Sequence, residues 1–234
     1  MRTSWLRWII GVPLALVVAV SAGTWIYLNV IREPAPERLT LDAATDAADS
    51  PAATAAGPAD SEGVDGQWRA TAGSQAGYRV PEVLNGQSTE AVGRTSDVTG
   101  SLTLAGTKAT AATFVVDMTT VASDESRRDG QFRGRIMDVA THPKATFTLT
   151  APIDFGEVPE VGGRLTATAR GDLTMRGVTN AVTFELDAER TATGFSVAGS
   201  IPITFADYGI PNPSAGPAKV GDEGELEFLV VFAR

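Results

Sequence analysis

The chain of 234 residues carries a formal net charge of −9, an acidic balance that argues against nucleic acid, whose phosphates need a basic face. With no cysteine it has no disulfide framework, no thiolate nucleophile and no cysteine-ligated metal. Its one histidine, His142, excludes a multi-histidine metal site and would have to serve any Ser-His-Asp triad by itself.

Residues 1–7 form a short basic N-terminus, and no charge interrupts the chain from there to Arg32. At about 1.5 Å per residue, an apolar helix over 8–31 spans a hydrocarbon core of roughly 30 Å. Trp5 and Trp8 stand near one end and Trp25 and Tyr27 near the other, where interfacial aromatics belong. Arg2 and Arg7 favour a cytoplasmic N-terminus, which puts the rest of the chain outside the cell membrane as a single-pass protein. Val20-Ser21-Ala22 is also an acceptable signal cleavage site, and cleavage after Ala22 would give a secreted protein. The run continues to Ile31, longer than a signal peptide needs, so the membrane partner is reached through an N-terminal helix or lost with it. Residues 32–66 are rich in Ala, Pro, Asp, Thr and Ser, and this composition predicts a disordered acidic linker.

From residue 67 to 234 apolar and polar residues alternate in run after run. Leu102 and Leu104 share a face, as do Ala112, Phe114, Val116 and Met118, then Ala145, Phe147 and Leu149. Leu165, Ala167 and Ala169 continue to Leu173 and Met175 across Gly171, which suggests a bulge or bend. Val182, Phe184 and Leu186 follow, then Phe195, Val197, Ile203 and Phe205, and last Leu226 and Phe228. One-sided alternation of this density predicts antiparallel sheet with one buried face, closed into a barrel or sandwich. Arg176-Gly177 and Val220-Gly221-Asp222 supply the turns.

The stretch "SDESRRDGQFRGRIMDVATHPKATF" breaks the pattern. Ser123 or Asp124 can cap a helix, Ser126 and Asp129 resemble a capping box, and Phe132 and Ile136 recur at helical spacing. A helix over about 127–139 is expected, ended by Pro143. Gly130 and Gly134 each cost about 1 kcal/mol against alanine, so such a helix needs docking, with its Phe132/Ile136 face over an open barrel end or along the wall.

These segments together resemble the YceI family of polyisoprenoid-binding, lipocalin-like proteins. "QWRATAGSQAGYRVPEVLNG" is similar to the family's opening, and "VGRTSDVTGSLTLAG" to its next strands. The helical stretch, "ARGDLTMRGVTNAVTFEL", "FADYGI" and "VGDEGELEF" then follow in family order. The resemblance implies an all-β chain: an extended, eight-stranded antiparallel barrel with one short amphipathic helix, holding an isoprenoid chain inside. The N-terminal transmembrane helix is an addition to that core.

An eight-stranded barrel is wide enough to be filled by side chains or to hold one slender ligand. Ala112, Ala145, Ala167 and Ala169 are small where a filled barrel would carry Leu or Ile. The expected ligand-binding set is Ala112, Phe114, Val116, Met118, Phe132, Ile136, Phe147, Leu149, Leu165, Ala167, Ala169, Phe184, Leu186 and Phe195. Arg128 and Arg133 are head-group candidates, because a guanidinium forks onto phosphate oxygens. Their competing role is a solvated helix face paired with Asp124, Glu125, Asp129 and Asp138. No nucleophile elbow, metal set or cofactor motif accompanies His142, which reads as structural. The reading is non-catalytic carriage of a polyprenyl phosphate or isoprenoid quinone at the outer face of the cell membrane. The rival is an envelope-stress or interaction module with a packed barrel and no lipid. The sequence leaves the oligomeric state open.

Overall fold

Alternation of period two produces strands, and the strands here close on themselves. The computed structural model describes residues 35–42 and 63–234 of the chain. In chain order the strands are β1 (Gly66–Ala70), β2 (Gln75–Leu84), β3 (Gln87–Thr95), β4 (Val98–Ala105), β5 (Lys108–Asp117), β6 (Ala122–Ser123) and β7 (Lys144–Leu149). They continue with β8 (Ile153–Asp154), β9 (Arg164–Met175), β10 (Val178–Arg190), β11 (Phe195–Thr204), β12 (Ala218–Val220) and β13 (Glu223–Ala233). The antiparallel order β1-β4-β5-β7-β9-β10-β11-β13 returns to its start where Arg69 and Ala70 of β1 meet Ala233 and Phe232 of β13. These eight strands form the expected closed barrel. β2 also lies on β13, extends past its end onto β12, and pairs with β3, which pairs with β6.

The barrel has two rims. At one, β9 turns into β10 through Arg176 and Gly177, both at positive φ (50° and 77°), the two-residue turn whose twist suits a hairpin. A Cβ at Gly177 would stand 2.7 Å from His142 Cε1, so the imidazole packs against this turn as a structural residue. At the opposite rim β9 begins at Arg164 and β10 ends at Arg190.

The expected bulge at Gly171 is corrected by the register, which runs unbroken from Val178↔Met175 to Glu189↔Arg164 with Gly171 opposite Val182. Gly171 keeps the parity of Leu165 and Met175; it is a glycine because the Phe147 ring lies over it. A register shift falls instead between β4 and β5, where Thr103 faces Ala111 and Leu104 faces Ala109, leaving Thr110 of β5 as the extra residue.

The charged insertion gives helix α1 (Ser126–Gln131), continued by one π-turn over Phe132–Ile136, shorter than the expected 127–139. Its cap is neither Ser123 nor Asp124: the Glu125 side chain accepts from the Arg127 N–H at 3.0 Å. Asp129 accepts from the Ser123 N–H (2.9 Å) and hydroxyl (2.7 Å), tying the helix to β6 rather than boxing its own N-terminus. Met137 and Val139 are buried beyond it, so docking holds this short helix.

The expectation of a disordered linker over 32–66 is corrected at residues 35–42, which lie on the outer wall of the barrel. Leu39 and Leu41 are 7% and 6% exposed, packed on Ala198 and Leu229. Ala198 and Leu229 alternate with the inward-facing Val197, Phe228 and Val230, so their side chains face outward. The expected transmembrane helix over 8–31 falls outside the described residues; among those described, no helix is long and apolar enough to cross a membrane.

Gly171→Ala tests the close approach at β9. The added Cβ would stand 2.4 Å from Cε2 and Cζ of the Phe147 ring and 2.5 Å from the Thr148 carbonyl oxygen. A loss of about 1–3 kcal/mol is expected from such overpacking, read as a lowered urea midpoint at unchanged slope. An unchanged midpoint would show that the ring moves aside at no cost.

Candidate functional site

The inward faces of the strands enclose a cavity of about 510 Å³. Its wall is graded. Ala112, Ala145, Ala167 and Ala169 on β5, β7 and β9 contribute little more than a methyl each. Around them runs an aromatic belt: Phe114, Phe147, Phe184 and Phe228 follow one another with ring centroids 6.3, 5.4 and 5.7 Å apart. Phe232 closes against Phe114 at 5.7 Å. Rings contribute stiff apolar surface, and alanines opposite them leave space that Leu or Ile would fill.

Every apolar residue expected inside does line the cavity: Ala112, Phe114, Val116, Met118, Phe132, Ile136, Phe147, Leu149, Leu165, Ala167, Ala169, Phe184, Leu186 and Phe195. Sequence reasoning missed the contribution of β2, where Ala76, Tyr78, Val80, Glu82 and Leu84 face inward. Their alternation was present in "AGYRVPEVL", interrupted only by the charge of Glu82.

α1 and its π-turn stand at one rim. Phe132 stacks on Tyr78, with centroids 5.1 Å apart and planes 19° apart, and Ile136 joins the lining. Burial pushes the Tyr78 phenol up to about 12, with the Arg128 cation beside it pulling the other way. Arg128 lines this mouth, and its guanidinium bridges Asp124 and Glu82, the latter at 3.3 Å. Desolvation works against that cation, and the two carboxylates outweigh it, raising its pKa. Of the carboxylates expected to pair with these arginines, Asp124 does hold Arg128 and Glu82 joins it from β2, whereas Asp129 accepts from Ser123. Arg133 is half-buried and does not line the cavity; Arg127 and Gln131 do. At the far rim Val64, Phe155 and Pro159 line the opening, where Arg190 donates to the Pro159 carbonyl at 3.1 Å.

The site offers shape, apolar surface and a charged collar at one end. Among the described residues no group of His, Asp or Glu is placed to hold a metal ion.

Comparison with known proteins agrees with this geometry. UPF0312 proteins of Vibrio parahaemolyticus and Vibrio campbellii are each 36% identical over 104 residues, 42% of this chain and 51% of theirs, so the chain spans about half the length of these relatives. A polyisoprenoid binding domain from Saccharophagus degradans superposes with a TM-score of 0.57 at 18% identity, covering 71% of this chain and 97% of that one. Burkholderia cenocepacia BcnA gives 0.54 at 20%, covering 69% and 96%. Both likenesses show the shared fold. The family model for the YceI-like domain matches residues 69–232, nearly the whole barrel, and the chain belongs to that family.

Proposed function

We propose that the barrel binds one amphiphilic isoprenoid in its lumen and carries it without chemistry at the outer face of the cell membrane. The observation that carries this reading is the cavity itself. At about 510 Å³ it lies within the roughly 300–1,000 Å³ of ligand pockets, and its wall is apolar along the barrel's length. The polyisoprenoid-binding neighbour lends the same ligand class. Each 100 Å² of isoprenoid surface removed from water contributes about 2.5 kcal/mol, so affinity arises without charged contacts.

The collar bears on the head group. Glu82, Asp124 and Glu125 face the mouth beside Arg127 and Arg128, and Arg128 already bridges two of those carboxylates. A polyprenyl phosphate would bring further negative charge to a collar whose arginine is engaged. A neutral quinone ring fits this mouth better, stacking near Tyr78 and Phe132.

Native mass spectrometry of residues 35–234, exported and purified without detergent, is expected to show one isoprenoid per chain. A persistent apo mass after incubation with quinones and polyprenyl phosphates would instead favour a packed interaction module. Ala167→Phe fills the lumen beside the belt; at least about tenfold weaker ligand retention is expected with folding intact. If binding survives at full strength, the ligand lies elsewhere. Glu82→Gln removes one partner of Arg128 and is expected to shift preference toward phosphate head groups by about fivefold, measured by competition between a quinone and a polyprenyl phosphate. No shift would show that the head lies away from this rim.

A further inference from the structure

Residues 35–42 form a strap with a direction. It starts over β2 and β3, where the Pro36 carbonyl accepts from Arg79 Nη2 at 2.6 Å and the Glu37 carbonyl from Arg94. It crosses β13, with Arg38 paired to Glu225 and Leu39 and Leu41 on Leu229 and Ala198. It ends at Asp42, which pairs at 2.7 Å with Arg164, the first residue of β9 and part of the rim far from α1. Its start lies toward the other rim: Glu82, which meets Arg128 of α1, is about 10 Å further along β2 from Arg79.

The strap is built into the wall. Arg79 and Glu227 point outward yet are 4% and 3% exposed, and the Arg79 guanidinium is satisfied by Glu227, Glu90 and the strap's own carbonyl. Exposed wall would not carry such a cluster. The fixed point of the chain is therefore Ala35, on the α1 side, whereas a wholly free linker would place the fixed point at β1.

The apolar run ends at Ile31, and the chain between Ile31 and Ala35 reaches at most about 14 Å. The geometry points to a lipid bilayer as the surface facing the α1 rim: the strap pins the barrel close to the membrane with this mouth toward the lipid and the far rim away. An isoprenoid would then pass between bilayer and lumen with little exposure to water, past Phe132 and Ile136. This inference rests on the proposed place at the outer face of the cell membrane and on residues 8–31 being the uncleaved anchor expected from the sequence, and is independent of whether the lumen holds lipid.

The chain has no cysteine, so single labelling sites are simple to introduce. Ser88→Cys lies on β3 opposite Val83 near the α1 rim, and Val161→Cys, at a position 61% exposed, marks the far rim. Full-length protein carrying one or the other would be labelled with an environment-sensitive fluorophore. It would then be reconstituted into phosphatidylcholine–phosphatidylglycerol vesicles containing a nitroxide-headgroup lipid. Quenching at residue 88 is expected to exceed that at 161 several-fold, and the difference should collapse in the Leu39→Ser/Leu41→Ser double variant. Equal quenching, or more at 161, in protein that co-sediments with vesicles and keeps its N-terminus by intact mass overturns the orientation alone. A chain cleaved after Ala22 that stays in the supernatant overturns the anchor and the orientation together.

Discussion

Closure of β1 between β4 and β13 is the constraint on which the rest depends. Once the sheet returns on itself, every inward side chain competes for one enclosed volume, and side-chain size alone decides whether that volume is core or cavity. Here the competition is settled unevenly around the ring. Phe114, Phe147, Phe184, Phe228 and Phe232 hold the wall in shape through ring contacts of 5.4–6.3 Å. Ala112, Ala145, Ala167 and Ala169 leave the middle unfilled. Gly171 belongs to the same economy: removing one Cβ lets the Phe147 ring lie down on β9 instead of standing into the lumen.

The helix follows from closure as well. A closed barrel must end somewhere, and an apolar lumen open to water at its rim is costly. The stretch at 126–136 has poor intrinsic helicity, with Gly130 and Gly134 in it, and forms because Phe132 and Ile136 find Tyr78 and the lumen while Asp129 is held by Ser123. A segment ordered mainly by docking is the part of a fold that opens at least cost. The mouth beneath α1 is thus the weaker of the barrel's seals, and the one toward which the first residues of the strap lie.

The barrel and its lumen were legible because period two is a local signal that needs no partner: the faces of β5, β7, β9, β10 and β11 could be read directly. The resemblance to YceI proteins supplied strand number and ligand class, which alternation cannot. What was lost depended on partners distant in sequence. The carboxylates expected for Arg128 all lay in its own segment, but Glu82, 46 residues earlier, also claims it. Gly171 looked like a bulge because the ring above it comes from β7. The strap was hidden by composition: among Ala, Pro and Asp, the short alternation Leu39-Thr40-Leu41 between Arg38 and Asp42 was its only mark, and the apolar patch receiving it came from β11 and β13.

The strap's two kinds of contact do different work. Burying Leu39 and Leu41 contributes about 1.5–3 kcal/mol each, the favourable part of docking. The charges beneath cannot be credited in the same way, because desolvating Arg79 and Glu227 offsets much of what their pairing returns. Their effect is selectivity. Two leucines alone could settle on Ala198 and Leu229 in either chain direction. Carbonyls of Pro36 and Glu37 over Arg79 and Arg94, Arg38 over Glu225 and Asp42 over Arg164 are satisfied together in only one. Reversing the strap would set Asp42 among Glu225, Glu227 and Glu90 and bring Arg38 toward Arg164. The buried ion cluster on the outer wall therefore fixes the polarity of the segment, and that polarity determines which rim lies nearest its first residue.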